Sequence, residues 1–143
     1  MAQQCARFLI KSMADLMKGK TLTGWVSYLN KFQDVSELKC SATKPEDFDC
    51  LDIQEEMMIV RACYLISDTS MKFAQSAEPM QTKWNEMYQK ELIEMSRVHI
   101  MLVTYQMFRD GIKSSWIQEN TKKHLCNLCK VFAAHDVYND CSS

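Results

Sequence analysis

Helix breakers are nearly absent from this chain: its 143 residues hold three glycines and two prolines. Glycine and proline punctuate a chain into turns, hairpins and strand ends, so a sequence this poor in both is confined to long uninterrupted helices. The breakers that exist stand where helices should end, at Gly19, Gly24, Pro45, Pro79 and Gly111. An all-α protein follows, an antiparallel helical bundle of about four helices.

Periodicity places those helices. Cys5, Phe8, Leu9, Met13, Leu16 and Met17 recur at three- and four-residue spacing and predict a helix over about 3–18, closed by Gly19 in a left-handed cap. The piece Gly24 to Asn30 carries Trp25 and Tyr28 but is too short for its period to decide between structures. Residues 33–51, with Asp34, Ser36, Ser41, Pro45, Asp47 and Asp49, read as a loop, long for a compact domain. Asp52-Ile53-Gln54-Glu55 reads as a capping box opening a helix over about 53–77. Pro79 stops it and opens a third helix over about 80–110, roughly 45 Å long at the usual rise per residue. Ser115-Trp116-Ile117-Gln118 is a second capping-box pattern, predicting a helix over about 115–135 with Ile117, Leu125, Leu128, Val131 and Phe132 inward. The tail from Asn139 to Ser143 carries no structural signal.

Composition narrows the function classes. Seventeen basic residues against eighteen acidic ones leave a formal charge of −1, which lacks the basic excess of a nucleic-acid binder. No apolar run approaches the roughly 20 residues of a membrane span, and Met1 to Gln4 lacks a signal peptide's basic start. Seven cysteines, at 5, 40, 50, 63, 126, 129 and 141, are odd in number and follow no framework spacing, which suits reduced thiols in an intracellular setting.

Candidate chemistry is thin. Cys126 and Cys129 form a CxxC pair with His124 and His135 nearby, but the pair falls mid-helix without the matching second pair that a tetrahedral zinc site draws on. His99 lies on the apolar stripe of the third helix, where a buried neutral imidazole with one hydrogen-bond partner is the plain expectation. Glu91 and Glu94 fall on the wetter face. The three glycines are scattered, so no loop exists to cradle a phosphate, and most of the eleven methionines fall at core spacing. No catalytic, cofactor-binding or metal-ligating residue emerges. What emerges is a single partial domain whose apolar stripes exceed what so small a body covers, leaving the surplus for a neighbour.

The residues themselves resemble a known family. Gln4-Cys5-Ala6-Arg7-Phe8-Leu9-Ile10-Lys11 followed by Val26-Ser27-Tyr28-Leu29-Asn30 is similar to the "QxARFLxK" helix and "VSYLN" segment of the peroxisomal acyl-CoA oxidases. In the same order, Glu55 to Ala62 resembles the family's next helix with its Arg-Ala pair. Lys83-Trp84-Asn85 and Glu91 to His99 resemble its "WN" and "LVxxSxAH" run, and Leu125 to Phe132 its "LxxLCxLY" helix. The resemblance runs from residue 3 to about 138 and is weakest over 33–51.

It implies the C-terminal helical domain of an acyl-CoA oxidase or dehydrogenase. In that family FAD takes a hydride from fatty acyl-CoA, a glutamate takes the α-proton, and oxygen reoxidises the flavin to give hydrogen peroxide. The family's glutamate lies in a Glu-Gly motif just upstream of the first matched helix, where Met1 stands here, so no catalytic residue carries over. The resemblance implies a chain that is inactive alone and binds no FAD by itself. Its partner would be the catalytic half of an oxidase or a homodimer mate. Its location would be peroxisomal, although Cys141-Ser142-Ser143 is not a peroxisomal tripeptide, and otherwise cytoplasmic. Two other readings stay open: a non-catalytic helical module that pairs with a full-length oxidase, and a generic helical adaptor or zinc-stabilised bundle.

Overall fold

The first helix, α1 (Ala2–Met17), forms because its apolar residues return every three to four positions and put Ala6, Leu9, Met13 and Leu16 on one buried line. It ends in a complete Schellman cap. Gly19 sits at φ 79°, its amide donates to the Leu16 carbonyl at 2.9 Å, and the Lys20 amide donates to the Asp15 carbonyl at 3.1 Å. A side chain at Gly19 would strain that left-handed turn. These coordinates come from a computed structural model, which describes residues 2–34, 38–114 and 116–141.

The undecided piece after Gly24 is an eleven-residue 3-10 helix, Gly24–Asp34. Asn30 fastens its start: its carboxamide accepts from the Leu22 amide at 2.9 Å and donates to the Leu22 carbonyl at 2.8 Å. The segment read as a loop over 33–51 holds a short 3-10 turn, Pro45–Asp49, nucleated by the Asp47 carboxylate, which accepts from the amides of Thr43 at 2.7 Å and Lys44 at 2.9 Å. Those two amides hold the Asp47 carboxyl below the ordinary range. Ser36, part of the same loop reading, lies outside the described residues.

The second long helix, α2 (Leu51–Gln75), starts two residues before the sequence placed it, with the Gln54 amide donating to the Cys50 carbonyl at 3.0 Å. Asp52 and Glu55 therefore lie inside the first turns and do not make a capping box. Both carboxylates instead face Arg109, a long-range partner no local pattern announces.

The single helix expected over 80–110 is broken. It consists of α3 (Met80–Thr82), a π turn (Lys83–Met87) and α4 (Gln89–Ile112), with Tyr88 at φ −115° between them. The π turn carries an extra residue, its Tyr88 amide donating to the Lys83 carbonyl at 3.2 Å. Its reason is in the packing: Phe73 meets Trp84 at 5.0 Å and Tyr88 at 5.7 Å between ring centroids, and Lys83 turns inward. Gly111 lies within α4 and does not end it.

The last helix, α5 (Glu119–Cys141), begins later and runs further than the pattern suggested, taking up much of the tail read as featureless. Ser115, the expected cap, lies outside the described residues, as do Ser142 and Ser143. No strand occurs among the described residues. The chain divides into two compact units, one of Met1–Leu38 with Arg61–His99 and one of Lys39–Val60 with Ile100–Ser143.

Candidate functional site

In the first unit three chemically able side chains gather below the surface. Tyr28 enters from the 3-10 helix, Cys63 from α2 and His99 from α4, and all three are buried. The Tyr28 hydroxyl lies 2.8 Å from His99 Nδ1, and the two rings stack at 5.9 Å between centroids. The Cys63 thiol donates to the Tyr28 carbonyl at 3.6 Å. Burial pushes the Tyr28 phenol upward, lowers the His99 imidazole and raises the Cys63 thiol to about 12. Every shift favours the neutral form. Phenol and imidazole are both held neutral, and the trio forms a hydrogen-bonded core.

Lys83 is the other unusual group of this unit. It is 8% exposed, and its ammonium donates to the Phe73 carbonyl at 3.1 Å and to the Ser76 carbonyl, while lying 5.5 Å above the Phe73 ring. It caps the C-terminal end of α2, where carbonyls lack partners and the helix dipole favours a cation.

The second unit buries a different set. The Tyr105 hydroxyl donates to the Leu51 carbonyl at 2.8 Å and approaches Gln54 Oε1 at 3.3 Å. Arg109 spans two carboxylates, pairing with Asp52 at 2.9 Å and with Glu55. The CxxC pair is split by its helix: Cys129 is fully buried and Cys126 only partly. Among the described residues no group of three or more His, Cys, Asp and Glu converges as a metal site would require.

A flavin dinucleotide calls for backbone donors and cations at its phosphates. A groove lined by Lys11, Lys20, Thr21 and Thr23 is the nearest approach, yet Lys20 is already paired with Asp15 at 2.8 Å. The described residues do not fit such a cofactor by themselves.

Apolar surface is the remaining feature. Phe8, Met17, Trp25, Ile93, Leu128, Val131 and Tyr138 are all exposed. Leu128 and Val131, expected inside, point outward, because α5 turns Cys129, Ala133 and Asp136 inward instead. Sequence reasoning found His99 but not its partner Tyr28, and it missed Lys83 and Arg109 altogether. The extra hydrogen bond of a buried lysine leaves no periodic mark.

Comparison with known proteins places the fold. It matches Arabidopsis thaliana acyl-CoA oxidase 1 with a TM-score of 0.86 over 99% of this chain and 21% of that structure, at 23% identity. An acyl-CoA oxidase from tomato matches with a TM-score of 0.82 at 22% identity. These define an all-α domain of acyl-CoA oxidase type. The sequence profile of the acyl-CoA oxidase family matches residues 51–143, and the chain belongs to that family. Its curated relatives include peroxisomal acyl-coenzyme A oxidase 1 of Arabidopsis thaliana, 26% identical over 92% of this chain, and that of mouse, 27% identical over 96%. The chain spans about one fifth of the length of these relatives, 20% and 21% respectively. No described helix is long and apolar enough to cross a membrane.

Proposed function

We propose that these residues form the C-terminal helical region, one partial domain, of an FAD-dependent peroxisomal acyl-CoA oxidase. The whole enzyme converts fatty acyl-CoA and oxygen to the trans-2-enoyl-CoA and hydrogen peroxide in fatty-acid β-oxidation. The helices here contribute a scaffold, and the flavin and the base that takes the α-proton come from the remainder of the enzyme or from a homodimer mate. The observation that carries the reading is the fold match over 99% of this chain to one fifth of an oxidase, joined to the family profile over residues 51–143. The burial of Tyr28 and His99 and the contact between them support a scaffolding role, since the imidazole is engaged by the phenol inside the core.

Measurement on the purified 143-residue chain tests this. No flavin absorbance and no peroxide from acyl-CoA in air are expected, and measurable turnover would overturn the reading. Exposed apolar residues also suit a helical module that pairs with a full-length oxidase. Co-purification of the free chain with intact oxidase would favour that reading.

A further inference from the structure

Cys126 and Cys129 stand one turn apart on α5, inside the second unit. Every other neighbouring pair of cysteines is at least ten residues apart in the chain. Cys126 is half-buried and Cys129 fully buried, so the pair leads from the surface into the core. The Tyr105 hydroxyl is within hydrogen-bonding reach of the Cys129 sulfur. Burial, and after it the neighbouring Cys126 sulfur, push the Cys129 thiol upward, and the second cause marks the two sulfurs as close neighbours.

Helix geometry decides whether the two can join. Three residues along an α-helix set two Cα atoms ~5 Å apart, inside the range of about 4.4–6.8 Å that a disulfide spans. The Cβ atoms at that spacing are about 5–6 Å apart, whereas a disulfide holds them at about 3.5–4.5 Å. A bridge is therefore within reach, but it draws in one turn of α5. It also draws Cys129 away from Tyr105, whose hydroxyl holds the Leu51 carbonyl at the start of α2.

We propose that Cys126 and Cys129 are a modification site, at which hydrogen peroxide forms a reversible disulfide within α5. The half-buried Cys126 sulfur attacks one peroxide oxygen. The O–O bond breaks, the departing hydroxide leaves as water with the thiol proton, and Cys126 becomes a sulfenic acid. The Cys129 sulfur then attacks the Cys126 sulfur. The S–S bond forms, the S–O bond breaks, and the oxygen leaves as a second water with the Cys129 proton. One peroxide is reduced to two waters while two thiols are oxidised to one disulfide. An accessible thiol beside a second that resolves its sulfenic acid is the arrangement of reversible redox sites. The inference stands on the two thiols alone; the proposed function adds that such an enzyme releases this oxidant itself.

The test weighs one peptide. Trypsin, cutting after Lys123 and Lys130, releases both cysteines together in residues 124–130. The reduced 143-residue chain is treated with hydrogen peroxide, alkylated in denaturant and digested. The expected peptide carries no alkyl group and is two hydrogens lighter than the reduced form. Dithiothreitol added before alkylation should restore both thiols. The bridged chain should melt below the reduced one, because a turn of α5 is drawn in and Tyr105 loses Cys129. Cys129→Ala should halt the reaction at a Cys126 sulfenic acid that dimedone captures. Both thiols of residues 124–130 alkylated, after peroxide has oxidised another cysteine, overturns the inference. A bridge from Cys126 or Cys129 to any other cysteine overturns it too, as does a sulfinic acid at Cys126 with Cys129 alkylated. These readings come from the unsubstituted chain, so they hold even where Cys129→Ala fails to fold. No flavin or acyl-CoA enters the test, and its failure leaves the proposed function standing.

Discussion

A polar pair in the first compact unit and an ion cluster in the second are held by different means. In the first, the Tyr28–His99 pair is neutral and almost sealed from water. In the second, Arg109 is 19% exposed at its side chain and holds two carboxylates, one of which, Asp52, is 78% exposed. A neutral buried pair depends on protonation and hardly on salt, whereas a half-wet ion cluster depends on salt screening. The same helices supply both, since α2 and α4 each lend residues to each unit.

The largest expected effect tests the apolar frame on which that difference stands. Leu9 is fully buried on α1. Leu9→Ala should cost about 3 kcal/mol of stability, from lost transfer energy and the cavity left behind. Urea unfolding of the free chain measures it, and a loss under about 1 kcal/mol would mean that α1 is not core-anchored.

Within the second unit, Tyr105→Phe removes the hydroxyl that donates to the Leu51 carbonyl at the start of α2. The expected loss is about 1–2 kcal/mol, because a part-buried carbonyl loses its partner. Glu55→Gln at the Arg109 cluster should cost less, about 0.5–1 kcal/mol, and the difference from wild type should shrink in high salt. A Glu55→Gln penalty that salt leaves unchanged would show the cluster to be as sealed as the Tyr28–His99 pair, and the contrast between units would fail.

The first unit should answer to pH. Burial lowers the His99 pKa below its unfolded value of about 6.5. Between those two values the unfolded chain binds the more protons, so stability falls as pH drops through that window and is fully present above it. Tyr28, stacked on the imidazole, and Cys63, bonded to the Tyr28 carbonyl, are both driven toward their neutral forms and do not titrate there. Urea midpoints followed from neutral pH downward should decline, and His99→Leu should flatten the part of the slope near pH 6. An unchanged slope in the variant would place the acid sensitivity among carboxylates.

How much of this was legible beforehand depends on how local each feature is. The Schellman cap at Gly19 and the stripe of α1 could be read because neighbours in sequence are neighbours in space. The Asp52–Glu55 pattern misled because Arg109, 54 residues from Glu55, outcompetes the local cap for those carboxylates. The break at Tyr88 was invisible because every residue from Lys83 to Met87 is compatible with an α-helix, and only Phe73 and the buried Lys83 call for the π turn. His99 was found as an apolar-face histidine, but Tyr28 sits 71 residues away in a segment with no usable period.

The smallest expected effect completes the comparison. Leu128 was read as core on the same grounds as Leu9, one apolar residue in a helical stripe. Yet it is 58% exposed, because α5 packs through Cys129 and Ala133, which are small, and through Asp136, which is polar. A period count weights leucine and valine above alanine and aspartate, so it selects the wrong side of α5 although it selects the right side of α1. Exposed substitutions rarely move stability by more than about 0.5 kcal/mol. Leu128→Ala should therefore be nearly silent in the free chain, where Leu9→Ala is severe. A loss near that of Leu9→Ala would mean that this face of α5 is covered even in the free chain, and the inward side of α5 would then have to be reassigned.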